Sequence, residues 1–472
     1  MEGNVCLKTG PAKTATHRPR RRVRPSEGKP YKYKVLPGNN SRLLINTFRH
    51  RPWWQTNKSN GDATMIWEMF RNPKRYRPSR SSPPTAPATA ALTGSSNLFV
   101  GVEADRCCLN HFERDTVLVT KHGLYWGLRA LYEKRGDPMP HYLPETYHIV
   151  HEDCCDDCLK LAEWDRFRTA FHQHECMAEA LERELNKLPP INTSSDHEGN
   201  SQKKHMKNIW ICKPAALSNR GSGIKIISTI DQVRSILDNK KKRTRAGFIV
   251  QKYIERPLLI KRRKFDIRCF LLLSTRCRTG KLCAYMYNDG YIRTSSSKYS
   301  LSKKSLKNKL IHLTNDGVQN KDKKYGKFEA GNKMSYSEFQ EYISQKYPER
   351  STWVRSIMCQ EIKNILEDVV RASKDTINPK RRQCFQLFGC DFMVTEGFEV
   401  KLIEINANPC LEFSNSYLEE LLTDVVESTF QLTLDNFFPP PRRNLTKQSS
   451  EAIERIKKAK EINRYSLFYE EQ

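Results

Sequence analysis

The stretch Cys384–Pro409, CFQLFGCDFMVTEGFEVKLIEINANP, decides how the chain is read. Two apolar runs, Cys384 to Val394 and Phe398 to Ile405, flank Glu396-Gly397, the sequence form of a β-hairpin with a short turn. A core strand should be apolar, yet each run carries an acid. With the turn centred on Glu396-Gly397, Asp391 is expected opposite Leu402. Glu404 and Asn406 then follow on the same face, and Ile403 and Ile405 point into the core. Two carboxylates and an amide converge from adjacent strands, an all-oxygen donor set that suits Mg2+ and is costly to bury without a cation. A hairpin with surface acids has the same pattern. Against it stands Asn406-Ala407-Asn408-Pro409, which ends the strand abruptly on polar groups, where open sheets tend to place ligands. A cation held there needs phosphates, so the remaining chain has to supply a nucleotide site.

With 472 residues the chain can hold two or three domains sharing substantial cores. Lys and Arg number 81 against 53 acids, a net charge of +28, so the partner should be a polyanion: nucleic acid, an anionic membrane surface or an acidic polypeptide. Fifteen cysteines scattered through apolar stretches, with no apolar region after Met1, read as reduced thiols in a cytosolic protein. No run approaches the roughly 18 apolar residues that span a bilayer, and no membrane partner is expected. His151, Cys154, Cys155, Cys158, His172, His174 and Cys176 could in principle bind zinc. Their spacing matches no familiar finger, and Leu159, Leu161, Trp164 and Phe167 between them fit an amphipathic helix, so packing is the preferred reading.

Taken in order, residues 1–31 form a basic, Pro-rich segment expected to be disordered. An N-terminal domain spans 32–150, with a strand, a Gly38-Asn39-Asn40 turn and a helix carrying Leu43, Leu44, Ile45 and Phe48. A Pro/Ser-rich insertion covers 71–96, and a further helix is expected from Lys121 to Lys134. Residues 151–207 read as a helical connector and linker, 208–260 as a central domain, 261–441 as the catalytic domain and 442–472 as a basic tail.

In NIWICKPAALSNRGSGIKII (208–227) a loop joins two strands, and its Gly221 and Gly223 allow backbone amides to fold over phosphates. Lys213 at the strand end and Arg220 in the loop offer cations. A plain hairpin turn looks the same. Gln251 to Ile254 can present backbone groups to a base. In KRRKFDIR (261–268), Lys264, Asp266 and Arg268 share one strand face while Phe265 and Ile267 take the other. A solvated edge strand would do so too, but CFLLLS continues as a buried strand, so the charges need partners. A hairpin is expected with Asn288-Asp289-Gly290 at its turn and Arg293 just beyond. The polar stretch HLTNDGVQNKDKKYGKFEAGNKM (312–334) is too long for an idle connection and is a candidate substrate loop. Helices are expected over 335–347 and 353–373, with a closing amphipathic helix after the first hairpin.

KP-x5-RG-x-GI, QKYI, KFDIR, HLTN, GCDF and IEINANP stand in this order, and with them the sequence resembles the tubulin tyrosine ligase-like family. The resemblance is strong from about 208 to 441. It implies an α+β chain with an ATP-grasp fold behind a smaller α/β N-terminal domain, and a ligase attaching amino acids to the acidic C-terminal tails of tubulin. By resemblance, Lys213, Arg220, Gly221, Gly223 and Ile224, with Gln251, Lys252, Tyr253 and Ile254, bind ATP. Lys264, Asp266, Thr314 and Asn315 line the same nucleotide. Asp391, Glu404 and Asn406 resemble the Mg2+ ligands, Arg293 the position holding the carboxylate of a free amino acid, and Lys333 an assistant to it.

ATP would phosphorylate an acceptor carboxylate, and an amine would attack the acyl phosphate, with Lys213, Lys264 and Arg268 adding fixed positive charge and Glu404 holding the metal. IWICKPAA, GCDFMV and INANP look most like the branch that elongates glycine chains, whereas HLTNDGVQNKDKKYGKFEAGN is similar to the tyrosine ligase itself. The glutamate-adding branch usually has a basic residue soon after the strand-ending Asn. Here NPCLEFSNSYLEE has none, which favours glycine over glutamate or tyrosine. An inactive microtubule binder would not need clustered acids in a core strand, and a nucleic-acid binder would explain the charge but not the carboxylates. A monomer in the cytoplasm, on the cytoskeleton or in the cilium, is expected.

Overall fold

A computed structural model describes residues 30–57, 63–76, 107–151, 158–187, 207–216, 222–239, 246–277, 279–440 and 446–472. Among them three sheets form an α+β arrangement. The first is parallel, in the order β2-β1-β3-β4: β1 (Tyr31–Val35), β2 (Trp54–Thr56), β3 (Met65–Trp67) and β4 (Cys108–Leu109). The second is antiparallel, in the order β5-β8-β6-β7: β5 (Thr146–Ile149), β6 (Trp210–Pro214), β7 (Lys225–Ile227) and β8 (Phe248–Lys252). The third comprises β9 (Leu259–Ile260), β10 (Arg263–Thr275), β11 (Leu282–Lys298), β12 (Lys333–Ser335), β13 (Phe385–Val394), β14 (Val400–Asn406) and β15 (Tyr465–Glu470). Its main order is β12-β11-β10-β13-β14, all antiparallel, with β15 on β11 and β9 on β10.

The helices are α1 (Ser41–Arg49), α2 (Thr116–Val119), α3 (Lys121–Arg135), α4 (Cys158–Lys187), α5 (Ile230–Leu237), α6 (Lys309–His312), α7 (Asp316–Gln319), α8 (Tyr336–Lys346), α9 (Cys359–Ser373), α10 (Ser416–Leu432), α11 (Leu434–Phe437) and α12 (Lys447–Glu461). No helix among the described residues is long and apolar enough to cross a membrane. Their caps are local and legible. Ser335 and Glu338 form a reciprocal capping box on α8, and Gly136 ends α3 at φ 75°.

The third sheet separates two cores. Phe265, Ile267, Cys269, Leu271 and Leu273 of β10 face one core with α3, α8 and α9, while Phe270 and Leu272 face another with α1 and α10. Period-two alternation therefore puts Asp266 and Arg268 on the second face, at the end where its apolar cover stops. A one-residue slip would exchange the two sets and force both charges into the first core, so register is fixed from both sides.

Several expectations need correction. The first hairpin forms, but Asp391 lies opposite Glu404 and Leu402 pairs with Phe392, because a bulge at Ile403 shifts the register. Leu402 and Ile405 are buried, and Ile403 is only half-buried. The turn does centre on Glu396-Gly397, closed by the Phe398 N–H on the Thr395 carbonyl, with Phe398 itself at φ 65°. Its ring packs against Tyr347, Trp353 and Arg350, which offsets the backbone strain.

Asn288-Asp289-Gly290, by contrast, is not a turn. Leu282–Lys298 is one continuous strand, and its pairing with β10 shifts between Cys269↔Gly290 and Leu271↔Met286. The irregularity falls where the outer edge of β11 changes partner, from β15 over Cys283–Tyr287 to β12 over Tyr291–Arg293.

The segment expected as a basic tail instead adds α12 and the strand β15 to the body of the protein. Similarly, β5, from the expected N-terminal domain, completes the second sheet, and α1 with β1–β4 shares its core with the third. Residues 1–29 and most of the 71–96 insertion lie outside the described residues.

Candidate functional site

The antiparallel register lines up two rows on the second face of the third sheet. One runs Tyr291–Arg268–Asp391–Glu404 across four strands, and the next runs Lys333–Arg293–Asp266. Arg268 donates to both oxygens of Asp391 through Nε (2.6 Å) and Nη2 (3.2 Å). Arg293 grips Asp266 in the same forked way, at 2.7 and 2.6 Å, and its Nη2 also lies 2.7 Å from Asp391 Oδ2. Thr314 Oγ1 donates to Asp266 Oδ2 at 2.7 Å. Burial alone would raise the Asp391 carboxyl, but Arg268 and Arg293 hold it below the usual carboxylate range. Two buried guanidiniums and two buried carboxylates thus form a charge-balanced, rigid unit.

Beside it stand two ammonium groups without such compensation. Lys213, at the end of β6, is buried and donates to Gln251 Oε1 at 2.9 Å, and the Gln251 amide donates on to Thr146 Oγ1. Lys264 is buried too and donates to Tyr253 Oη (3.1 Å) and the His312 carbonyl (3.0 Å). Burial brings Lys213 from 10.5 down to about 8, with Glu404 opposing and Lys121 adding to the shift. It brings Lys264 down to about 7, opposed by Asp266 and reinforced by Lys213. Burial and Lys264 together lower His312 to about 4. Buried cations whose hydrogen-bond partners are all neutral make a ready anion site.

Glu404 is the accessible carboxylate of the stripe, 34% exposed, with Lys121 Nζ at 3.6 Å. Asn406 donates through Nδ2 to Asp391 Oδ2 (3.2 Å) and to the Gly389 carbonyl (3.3 Å), which leaves its Oδ1 as an acceptor. Glu404, Asn406 Oδ1 and Asp391 are all hard oxygen ligands, so they fit Mg2+, although Asp391 is already shared with two arginines. Among the described residues no three His, Cys, Asp or Glu side chains cluster as metal ligands. This includes the described members of the cysteine and histidine group: His172 contacts Glu175, His174 contacts Glu145, and Cys176 is exposed. Cys154 and Cys155 lie outside the described residues.

Of the expected site residues, Lys213, Gln251, Tyr253, Lys264, Asp266, Arg268, Arg293, Thr314, Lys333, Asp391, Glu404 and Asn406 come together in this way. Asn315, half-buried, follows Thr314 at the start of α7. Lys252 does not point into the group: its Nζ reaches Glu255 Oε1 and the Ile209 carbonyl. The backbone amides of Lys252 and Tyr253 are spent on Glu145 and Ile209, whereas that of Ile254 makes no hydrogen bond among the described residues. Gly223 has φ 75° and packs where a Cβ would lie 2.7 Å from Pro214, close against the end of β6, with Ile224 beside it. Arg220 and Gly221 lie outside the described residues.

Lys121 and His312 were not anticipated. Lys121 occupies the first position of α3, at the positive end of the helix dipole, where acids are usual. That misfit was the available signal.

The chain matches the family model described as the tubulin-tyrosine ligase family over residues 130–445. It is 32% identical over 253 residues to "Tubulin glycylase 3B" of Tetrahymena thermophila, covering 52% of this chain and 20% of that protein. It is 30% identical over 293 residues to "Protein monoglycylase TTLL8" of Homo sapiens, covering 60% and 32%. It is 31% identical over 307 residues to "Tubulin monoglycylase TTLL3" of Mus musculus, covering 61% and 31%. The chain thus spans a fifth to a third of the length of these relatives.

Proposed function

Because the chain belongs to the tubulin-tyrosine ligase family, we propose that it is an ATP- and Mg2+-dependent ligase of ATP-grasp type that adds glycine to carboxylates of acidic tubulin tails. The geometric observation that carries the reading is the pair of buried ammonium groups, Lys213 and Lys264, set beside the oxygen donors Asp391, Glu404 and Asn406. Glycine is favoured by the names of the relatives, all of them glycylases, two of them monoglycylases.

In this reading Lys213 and Lys264 hold the polyphosphate, and the Gln251–Ile254 stretch lines the base through the Ile254 amide, which makes no hydrogen bond among the described residues. Glu404 and Asn406, with Asp391, would hold Mg2+, which would supply neutralising charge for the phosphates. The γ-phosphoryl passes to an oxygen of the acceptor carboxylate and ADP leaves. The amine nitrogen of the amino acid then attacks the acyl carbon, phosphate departs with the C–O electron pair, and the amine loses its proton to solvent. Arg268 and Arg293, locked by Asp391 and Asp266, present fixed positive charge without reorganisation during the reaction.

The test is incorporation of labelled glycine, glutamate and tyrosine into microtubules by the full chain. Glycine incorporation that disappears in Glu404→Gln supports the reading. Incorporation of glutamate alone would replace glycine as the substrate, and no incorporation of any amino acid would overturn the ligase.

A further inference from the structure

The Gly38-Asn39-Asn40 turn ahead of α1 is far from β14 in sequence, yet its two asparagines grip the segment that leaves that strand. Asn39 Nδ2 donates to Asn408 Oδ1 and to the Pro409 carbonyl, both at 2.6 Å, and Asn39 Oδ1 accepts the Leu411 N–H at 2.8 Å. Asn40 Nδ2 donates to the Leu411 carbonyl at 2.9 Å, and the Asn40 N–H donates to Glu412 Oε1 at 2.9 Å. Asn40 Oδ1 meanwhile accepts the Leu43 N–H and caps α1. The three residues stand at φ 116°, 44° and 53°, a run of left-handed backbone that Gly and Asn tolerate and that persists only where the surroundings over-determine it. Capping a helix needs none of this strain, since Thr120 and Ser335 cap α3 and α8 from extended backbone.

What the grip holds is the end of β14 that carries Asn406. Pro409 is buried against Gly389, where a Cβ would lie 2.8 Å from Pro409 Cβ and 3.1 Å from Arg268 Nε. Gly389 pairs with Asn406 and accepts from its Nδ2. Pro409 thus backs the place from which Arg268 and Asn406 reach Asp391.

We infer that Asn39 and Asn40 are positioning residues for this site: they press Pro409 onto Gly389 and so set Arg268 and Asn406 relative to Asp391. The inference rests on the ligase reading for what the site does, and adds to it a part for the turn before α1. In the plainer alternative the two side chains only fasten the N-terminal elements to the body. That task is met elsewhere, because Arg51 is forked onto both Asp435 and Glu427, and Leu44 and Phe48 of α1 share a core with α10. Losing one amide loosens the loop without undocking α1.

The full chain is compared as wild type, Asn39→Gly and Asn40→Asp. Glycine at 39 keeps the backbone conformation and deletes the bonds to Asn408, Pro409 and Leu411, whereas aspartate at 40 keeps the cap on α1 and loses only the donor to Leu411. In Asn39→Gly, turnover of labelled amino acid on microtubules should fall about ten-fold, the scale of a slightly displaced site wall, while KM for ATP stays within about two-fold. Asn40→Asp should fall less. Hydrogen exchange of the 407–415 peptide should speed up in Asn39→Gly, with β10 and β13 as protected as before. Unchanged turnover per folded molecule, turnover and ATP KM worsening together, or unchanged exchange at 407–415 overturns the positioning role and leaves the ligase intact. Calorimetry of a non-hydrolysable ATP analogue with and without Mg2+ reads the grip without turnover. The strengthening that Mg2+ confers should shrink in Asn39→Gly, and equal strengthening in variant and wild type overturns the inference even where the wild type incorporates no amino acid.

Discussion

The buried lysines and the buried carboxylate are charged for opposite purposes, and their variants should separate accordingly. Lys213 and Lys264, at about 8 and about 7, are partly neutral in the free protein near pH 8. A bound polyphosphate raises both, so binding above pH 7 takes up protons. Affinity is then greatest below pH 7 and declines as pH rises through 7 to 8. Calorimetry of an ATP analogue at pH 8, in two buffers of different ionisation enthalpy, should show uptake of roughly one proton. A heat independent of buffer would remove the lysines from the nucleotide site.

Asp391 is instead the keystone of two arginines. Asp391→Ala should cost about 3–5 kcal/mol of stability, because it leaves buried guanidiniums uncompensated. Glu404→Gln, at a half-exposed position, should leave the melting temperature almost unchanged while abolishing turnover. Matching melting curves for the two variants would contradict this division. These roles were legible in the sequence as far as alternation reaches: an acid or base in an otherwise apolar strand marks a face. The arginine partners of Asp391 were not, because they come from strands far away in sequence whose register only the fold sets.

At the scale of elements, what sequence could not resolve was where a glycine marks a turn and where it marks a close approach. Asn288-Asp289-Gly290 reads as a hairpin turn by local chemistry. Its true setting depends on β15, some 180 residues later, which occupies one half of the edge of β11 and leaves the other half to β12. Glycine is needed at 290 for a different reason. A Cβ there would lie 2.3 Å from the Arg268 carbonyl and 2.6 Å from Tyr336 Oη. Gly290→Ala must therefore push β10 or α8 aside, at a cost of about 1–3 kcal/mol. Since the displaced backbone carries Arg268, turnover should fall along with the melting temperature. A variant that is destabilised but retains full activity per folded molecule would show that β10 tolerates the shift. The Ile403 bulge belongs to the same class. It brings Glu404 opposite Asp391, and a strictly alternating strand predicts neither the bulge nor the pairing.

The whole molecule carries a net charge of +28 around a site whose own arginines and carboxylates nearly cancel. The excess therefore acts outside the chemistry. Lys303, Lys304, Lys307 and Lys309 before and within α6, and Lys321, Lys323, Lys324 and Lys327 after α7, are all exposed, and they border the two short helices that bring His312 and Asp316 to the site. A field of this sign attracts an acidic polypeptide over distances that salt shortens to roughly 10 Å at 0.1 M. ATP held by the buried Lys213 and Lys264, as proposed, would be screened much less. Raising ionic strength from about 0.05 to about 0.2 M should thus increase KM for microtubules several-fold while KM for ATP stays nearly constant. Exchanging Lys321, Lys323, Lys324 and Lys327 for glutamate should reproduce the effect at low salt. If the microtubule KM ignores both treatments, the charge only solubilises the chain, and recognition of the acidic tail lies within the site itself.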